Sequence, residues 1–249
     1  SLPVQYEQMD SDLSFTGELA DGTISGTTNT KMLVPGQLAG AAEGSTAEGT
    51  STWTAVRAPE LAAPASVQWG EPINLFNGKD LTGWHLMDPA QDKFWKVIDG
   101  VLVNDVRDQG DVGEGTGLIS DEKFNNFKLH LEFMYPEGSN SGIYLRGHHE
   151  IQIQDDYGKE PGNRYIAGIY GFITPTENAA KKAGEWQTMD ITLLGRWVTI
   201  VLNDKTVIDN QEIPGLTGGA LDPNEGEPGP IFIQGDHGPI SFRSVVLTP

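Results

Sequence analysis

The run Glu150-Ile151-Gln152-Ile153-Gln154-Asp155 alternates polar and apolar residues. In a strand alternate side chains share a face, so Glu150, Gln152 and Gln154 point one way while Ile151 and Ile153 point into a core. Carboxylate and amide groups in a row match sugar hydroxyls, which donate and accept. The same row also describes an ordinary solvated sheet face. Arg146, on the strand just before, is a fixed cation able to hold a pair of hydroxyls. His237, in the stretch QGDHG, titrates near neutral pH and could shuttle a proton. Followed by Gly238 and Pro239, it could equally cap a turn. His148 and His149 read as loop residues at the rim of such a groove, with His149 the one placed in contact with a ligand. Tyr144 and Tyr157 offer rings on which the apolar face of a pyranose can stack.

The elements that must position these groups are short strands. Alternating runs with turn residues between them cover Ile73–Phe76, Phe94–Ile98, Val101–Asn104, Phe127–Tyr135, Gly142–Arg146, Glu150–Asp155, Gln187–Leu194, Trp197–Leu202, Ile231–Gln234 and Ile240–Leu247. Asp21-Gly22, Asp99-Gly100 and Asn203-Asp204 each separate two such runs by two residues, which predicts antiparallel hairpins. Only Thr176–Ala183 (TENAAKKA) reads as a helical turn. Many short strands with tight turns predict a sandwich or barrel. A boundary falls near residue 70. Before it, residues 1–57 form a small β-rich module that buries too little to stand alone and is expected to dock on something. Ala39–Ser51 reads as a flexible loop, and residues 58–70 as a linker.

Composition removes whole classes of function. Lys plus Arg is 16 and Asp plus Glu is 35, a net charge of −19. Nucleic acid is not an expected partner, because phosphates are bound by clustered Lys and Arg. No apolar run is long enough for a membrane-spanning helix, and the first residues do not read as a signal peptide. The absence of cysteine excludes disulfides, thiolate metal sites and a cysteine nucleophile. There is no phosphate loop, dinucleotide-binding glycine motif, HExxH or serine elbow. The acidic clusters Asp105/Asp108/Asp111/Glu114 and Asp222/Glu225/Glu227 do not have EF-hand spacing and read as solvated loops. Low pI and no thiols lean toward an exported bacterial protein, periplasmic or extracellular.

From residue 72 onward the chain resembles the 3-keto-disaccharide hydrolase domain family. The resemblance is carried by PINLFNGKDLTGW (72–84), SGIYLRGHHEIQIQDDYG (141–158), IAGIYG (166–171), NAAKKAGEWQTMDI (178–191), VTIVLND (198–204) and GPIFIQGDHGPISFRSVVL (229–247). It implies an all-β, antiparallel jelly-roll sandwich of the concanavalin A-like kind over residues 71–249, with a sugar in the concave face. It also implies cleavage of the glycosidic bond of a disaccharide oxidised at C3. By the same resemblance Trp186, in GEW, and Gln234 join the substrate-binding set, although Trp186 could as well be a core residue. A structural Ca²⁺ is common in sandwiches of this kind, and a catalytic cation held by Glu150, Asp155 and His237 is a further option; no cofactor is required by the reading.

Retaining glucanases of this sandwich type carry E-x-D-x-x-E on the equivalent strand. Here the spacing reads Glu150-x-Gln152-x-x-Asp155. A retaining pair needs its carboxyls about 5–5.5 Å apart, and the altered pattern argues against plain double displacement. A 3-keto sugar permits another route, because the ketone acidifies C2–H. In that route Glu150 or Asp155 is the base, Arg146 holds the enolate oxygen and His237 moves the proton. The alternatives are a non-catalytic carbohydrate-binding module and a β-glucanase-like glycoside hydrolase.

Overall fold

The computed structural model describes residues 11–33, 46–56, 66–106 and 115–249. Two compact units divide the chain between Ala58 and Pro59.

The first unit is a three-stranded antiparallel meander of β1 (Ser11–Ala20), β2 (Thr23–Leu33) and β3 (Thr46–Val56). The Asp21-Gly22 turn closes β1 on β2 with Ala20 opposite Thr23. Its strands are rich in Thr, Ser and Gly, and Leu19 is 72% exposed. The loop expected over Ala39–Ser51 is corrected from Thr46 onward, where β3 begins; residues 39–45 lie outside the described residues. Within the expected linker, 66–70 has no regular structure and 58–65 lies outside the described residues.

The second unit is a sandwich. Its strands are β4 (Ile73–Asn74), β5 (Trp84–Leu86), β6 (Trp95–Ile98), β7 (Val101–Asn104), β8 (Leu118–Phe124), β9 (Phe127–Met134), β10 (Asn140–Leu145), β11 (His149–Gln154), β12 (Gln187–Leu194), β13 (Trp197–Leu202), β14 (Lys205–Glu212), β15 (Gly229–Ile233) and β16 (Ile240–Thr248). One sheet runs β11-β10-β15-β8-β5. The larger runs β14-β13-β12-β9-β16-β7-β6, with β4 also on β16. All strand pairs are antiparallel. The hairpins at Asp99-Gly100 and Asn203-Asp204 form as expected, with positive φ at both central residues of each.

Alternation fixes the register. Ile143, Leu145, Ile151, Ile153, Ile231 and Ile233 of the smaller sheet share one core with Leu129, Leu131, Phe133, Ile191 and Leu193 of the larger. Each such side chain is worth roughly 1.5–3 kcal/mol when buried. A slip of one residue in β11 would expose Ile151 and Ile153 and drive Gln152 inward, so the polar row is held on the outer face by what lies beneath it.

The helical turn expected over Thr176–Ala183 is not there; the only helical turn among the described residues is a 3-10 turn at Pro89–Gln91. Side chains take over the backbone groups that a helix would have paired. Asn178 accepts from Ala180 N and donates to Asp156 O, Asn203 donates to Ala179 O, and Gln187 accepts from Lys181 N and donates to Lys181 O.

Candidate active site

The β10–β11 hairpin places Tyr144 opposite Glu150, Gly142 opposite Gln152 and Asn140 opposite Gln154. Their outer face forms the floor of a cleft of about 290 Å³. That is the lower end of the ~300–1,000 Å³ typical of small-ligand sites, a pocket and not a long groove. Gln234 and His237 wall it on one side, Tyr170 and the Gly218-Gly219 turn on the other. Tyr170 arrives from an irregular segment laid along the edge of β11: Ala167 N donates to Gln152 O (2.8 Å), Gln152 N to Gly168 O (2.9 Å) and Tyr170 N to Glu150 O (3.0 Å). The turn is tied to the same strand, because Thr217 Oγ1 accepts from Glu150 N at 2.8 Å and donates to His148 O at 3.1 Å.

Glu150 is 4% exposed. Its carboxyl lies across the facing strand, where a Cβ on Gly142 would stand 2.5 Å from Oε1; only glycine leaves that space. Burial pushes the carboxyl from 4.5 up to about 7, opposed by a hydrogen bond with Tyr144 and the charge of His237, and aided by Asp236. The Tyr144 hydroxyl lies between Glu150 and Gly218 O, 3.1 Å away, and with one proton to give it serves one at a time. Its ring stacks on Phe232 at 4.5 Å between centroids, so the aromatic pair is part of the sheet face.

His237 is half-exposed, and its Nδ1 bonds Asp236 Oδ1 at 2.7 Å. Asp236 accepts, which makes Nδ1 the donor and leaves Nε2 for the cleft. The hydrogen bond to Asp236 holds the imidazole above its ordinary value of 6.5, against burial, with the charges of Asp236 and Glu150 adding to it. The loop that carries the pair is packed tightly: a Cβ on Gly235 would collide with Thr116 O and crowd Asn104 and Trp95.

Of the residues expected in the site, Glu150, Gln152, Tyr144, Gln234 and His237 line this one cleft. Arg146 does not, which corrects its expected role. It sits in the turn after β10 with φ of +55°, so strand alternation no longer directs it. Its guanidinium is buried, donating to Asn125 Oδ1 (3.2 Å) and Gly195 O (3.0 Å). His149 is also buried and not at a rim. It donates Nδ1 to Gly215 O at 3.2 Å, with Arg146 3.5 Å from Nε2 and Glu225 3.7 Å away. Burial first, then Arg146, pushes this imidazole down to about 3, so it is neutral. His148 is buried too and meets Asp222 at 3.1 Å. Asp155 turns to Gly138 N (3.0 Å). Gln154 sits behind Gln152, bonded to it at 3.0 Å. Tyr157 is exposed, with the Lys182 ammonium 5.8 Å from its ring centre. Trp186 precedes β12 in the larger sheet and stacks with Arg243, which also pairs with Glu132. None of Asp155, Gln154, Tyr157 and Trp186 lines the cleft.

Sequence reasoning missed Tyr170, Asn140, the Gly218-Gly219 turn and Asp236 as partner of His237. Only Asp236 left a legible signal, its place beside the histidine. For a metal, no cluster of three or more His, Asp or Glu able to hold an ion occurs among the described residues. Glu225 is committed to Arg196 at 2.8 Å, and Asp155 is turned away from Glu150 and His237. These residues do not fit a catalytic cation. The acidic run 107–114 lies outside the described residues. No helix among the described residues is long and apolar enough to cross a membrane.

Residues 71–248 match the model of the 3-keto-alpha-glucoside-1,2-lyase-like domain family. A curated relative from Bacteroides thetaiotaomicron, the 3-keto-disaccharide hydrolase, is 28% identical over 168 residues, 55% of this chain and 57% of the relative. The chain thus spans little more than half the length of that relative. A Parabacteroides distasonis crystal structure, provisionally named a glycosyl hydrolase, superimposes with a TM-score of 0.56 at 28% identity, over 71% of this chain and 82% of that one. A second from the same organism gives 0.55 at 26% identity, over 72% and 98%. These matches bear out the resemblance and the jelly-roll sandwich read from the sequence: the chain belongs to the 3-keto-alpha-glucoside-1,2-lyase-like domain family.

Proposed function

We propose that this protein cleaves the glycosidic bond of a C3-oxidised glycoside in the cleft of the five-stranded sheet, by abstraction of the C2 proton and departure of the C1 substituent. The observation that carries this reading is the pairing of a carboxyl raised to about 7 with an Asp-supported histidine in one small cleft. A carboxyl lifted toward neutral pH in the same cleft as a histidine is what acid–base chemistry needs. The names of the family and of the curated relative support the substrate class.

Glu150 as carboxylate takes the proton from C2. The electron pair of that bond forms C2=C3, and the negative charge moves to O3. As the C3 carbonyl re-forms, the pair moves to C1=C2 and the C1–O bond breaks. His237, protonated on Nε2, gives that proton to the departing oxygen. Water then adds across C1=C2, hydrogen returning to C2 and hydroxyl going to C1, which makes the net reaction a hydrolysis. With Arg146 elsewhere, the charge on O3 is met by neutral donors of the wall and by the imidazolium.

A displacement by two carboxylates has less support, because Asp155 is turned to Gly138 N. A purely binding role leaves the raised carboxyl and the Asp236–His237 pair without a task. Incubation in D₂O with a 3-keto-disaccharide and with its unoxidised parent distinguishes these. The expected result is release of the unoxidised half from the keto compound alone, with deuterium at C2 of the keto sugar. Cleavage of the parent, or cleavage without deuterium at C2, overturns the mechanism.

A further inference from the structure

The geometry points to Asp156, Gln154 and Gln152 as a relay that dictates which hydrogen-bonding groups the cleft presents to a sugar. It rests on the reading of this cleft as the sugar site. Asp156 is fully buried. Its carboxylate accepts from Lys159 Nζ (2.8 Å), Ile166 N (3.1 Å) and Gln154 Nε2 (3.2 Å). A carboxylate cannot donate, so Gln154 must turn its NH₂ toward it. Gln154 Oε1 then faces Gln152, which donates Nε2 to it at 3.0 Å and to Asn140 Oδ1 at 3.1 Å.

Both amide protons of Gln152 are thereby committed. Its Oε1 is buried, without a protein partner, on a residue that lines the cleft. Asn140 also lines the cleft, and with Oδ1 engaged it has its NH₂ to offer. The relay thus leaves Asn140 with a donor for the cleft, beside a Gln152 oxygen that is buried at its floor and still lacks a donor, matching the double character of a sugar hydroxyl. An amide can ordinarily exchange its two ends by a half-turn. Here a half-turn of Gln154 would set its oxygen against Asp156 and its NH₂ against that of Gln152. The buried carboxylate, two side chains from the sugar, therefore sets the polarity of the contact. Asp156 and Gln154 are positioning residues. The favoured substrate is a 3-keto pyranoside carrying a free hydroxyl above Gln152, and a ring deoxygenated there is rejected.

The test, in a Glu150→Gln background that leaves the ligands uncleaved, is calorimetric binding of methyl 3-keto-α-glucoside and its 2-, 4- and 6-deoxy forms to the otherwise wild-type chain, Gln154→Met and Asp156→Asn. One deoxy compound should bind the wild type about tenfold or more weakly. That gap should fall below about threefold in both variants, where the Gln152 amide can turn to suit either ligand. An unchanged gap in variants that melt close to the wild type overturns the relay. Hydrogen exchange of the Gln152 side-chain NH₂, followed by NMR without ligand, gives a second reading. It should be slow in the wild type and faster in Gln154→Met, and fast exchange in the wild type overturns the relay by itself. Failure of the wild type to bind any of the four glycosides sinks the sugar-site reading instead, and the exchange measurement then decides the relay alone.

Discussion

The β10–β11 hairpin delivers ionisable residues to two places of opposite character. On its outer face Glu150 shares an open cleft with His237, which Asp236 supports. At its turn Arg146 and His149 meet Arg196 and Glu225 in a closed cluster. The residue types are nearly the same. In the first, burial lifts Glu150 to about 7, while the half-exposed His237 is held above its ordinary value by Asp236. In the second, burial drives His149 down to about 3, and no partner can change its protonation in the physiological range. Charge and burial together do not make a reactive site. Access for a ligand and a group that titrates near working pH are also required.

Glu150→Gln separates the two clusters most strongly. Turnover of a 3-keto glycoside should fall by about 10²–10⁴, measured as initial rates. Stability should move the other way. The folded-state value near 7 lies above the ordinary 4.5, so the stability of the neutral carboxyl is fully present below about 4.5 and is lost as pH rises through 7. Thermal melts should show the wild type weakening between pH 5 and 8 and the variant lacking that loss.

Glu225→Gln attacks the closed cluster. It breaks the buried pair of Glu225 with Arg196 and removes a negative charge felt by Arg146, a loss of about 3–5 kcal/mol for a broken buried pair. Chemical denaturation should show it, while the pH–rate profile of the protein that remains folded keeps its limbs.

Asp236→Asn is a milder change in the open cluster. The wild type should lose activity on the acid side as Glu150 is protonated below about 7. On the alkaline side it should lose activity as His237 gives up its proton. Without the Asp236 carboxylate the imidazole is less readily protonated, so the alkaline limb should move to lower pH and kcat fall about tenfold. An unmoved limb would take His237 out of the acid role.

The smallest effect belongs to Trp186→Phe. With its ring against Arg243 in the larger sheet, kcat/KM should stay within about twofold and stability within about 0.5 kcal/mol. A loss of affinity comparable to that of a cleft residue would return Trp186 to the site.

What was legible in the sequence was what local geometry decides. Asp99-Gly100 and Asn203-Asp204 fix their hairpins because their backbones adopt positive φ cheaply. The alternation through 150–154 put Glu150 and Gln152 on one face because Ile151 and Ile153 have a core to fill. The reading failed where alternation stops governing. Arg146 leaves the strand through a left-handed turn, so its proximity in sequence to Glu150 does not carry over to space. Tyr170 enters the cleft through an irregular segment whose pairing with β11 no periodicity announces. TENAAKKA has helical residues, but Asn178, Asn203 and Gln187 give its backbone other partners.

Gly235 sits flush against Thr116, just before β8, and against Trp95 and Asn104 of the β6–β7 hairpin, with no room for even a methyl group. The support beneath the imidazole is therefore masonry and not a hinge. On the proposed reading, a substrate would meet Glu150 and His237 in a cleft whose His237 corner is already packed into place. New leaving-group preferences can arise by remodelling the Tyr170 and Gly218 walls while this strut stays as it is.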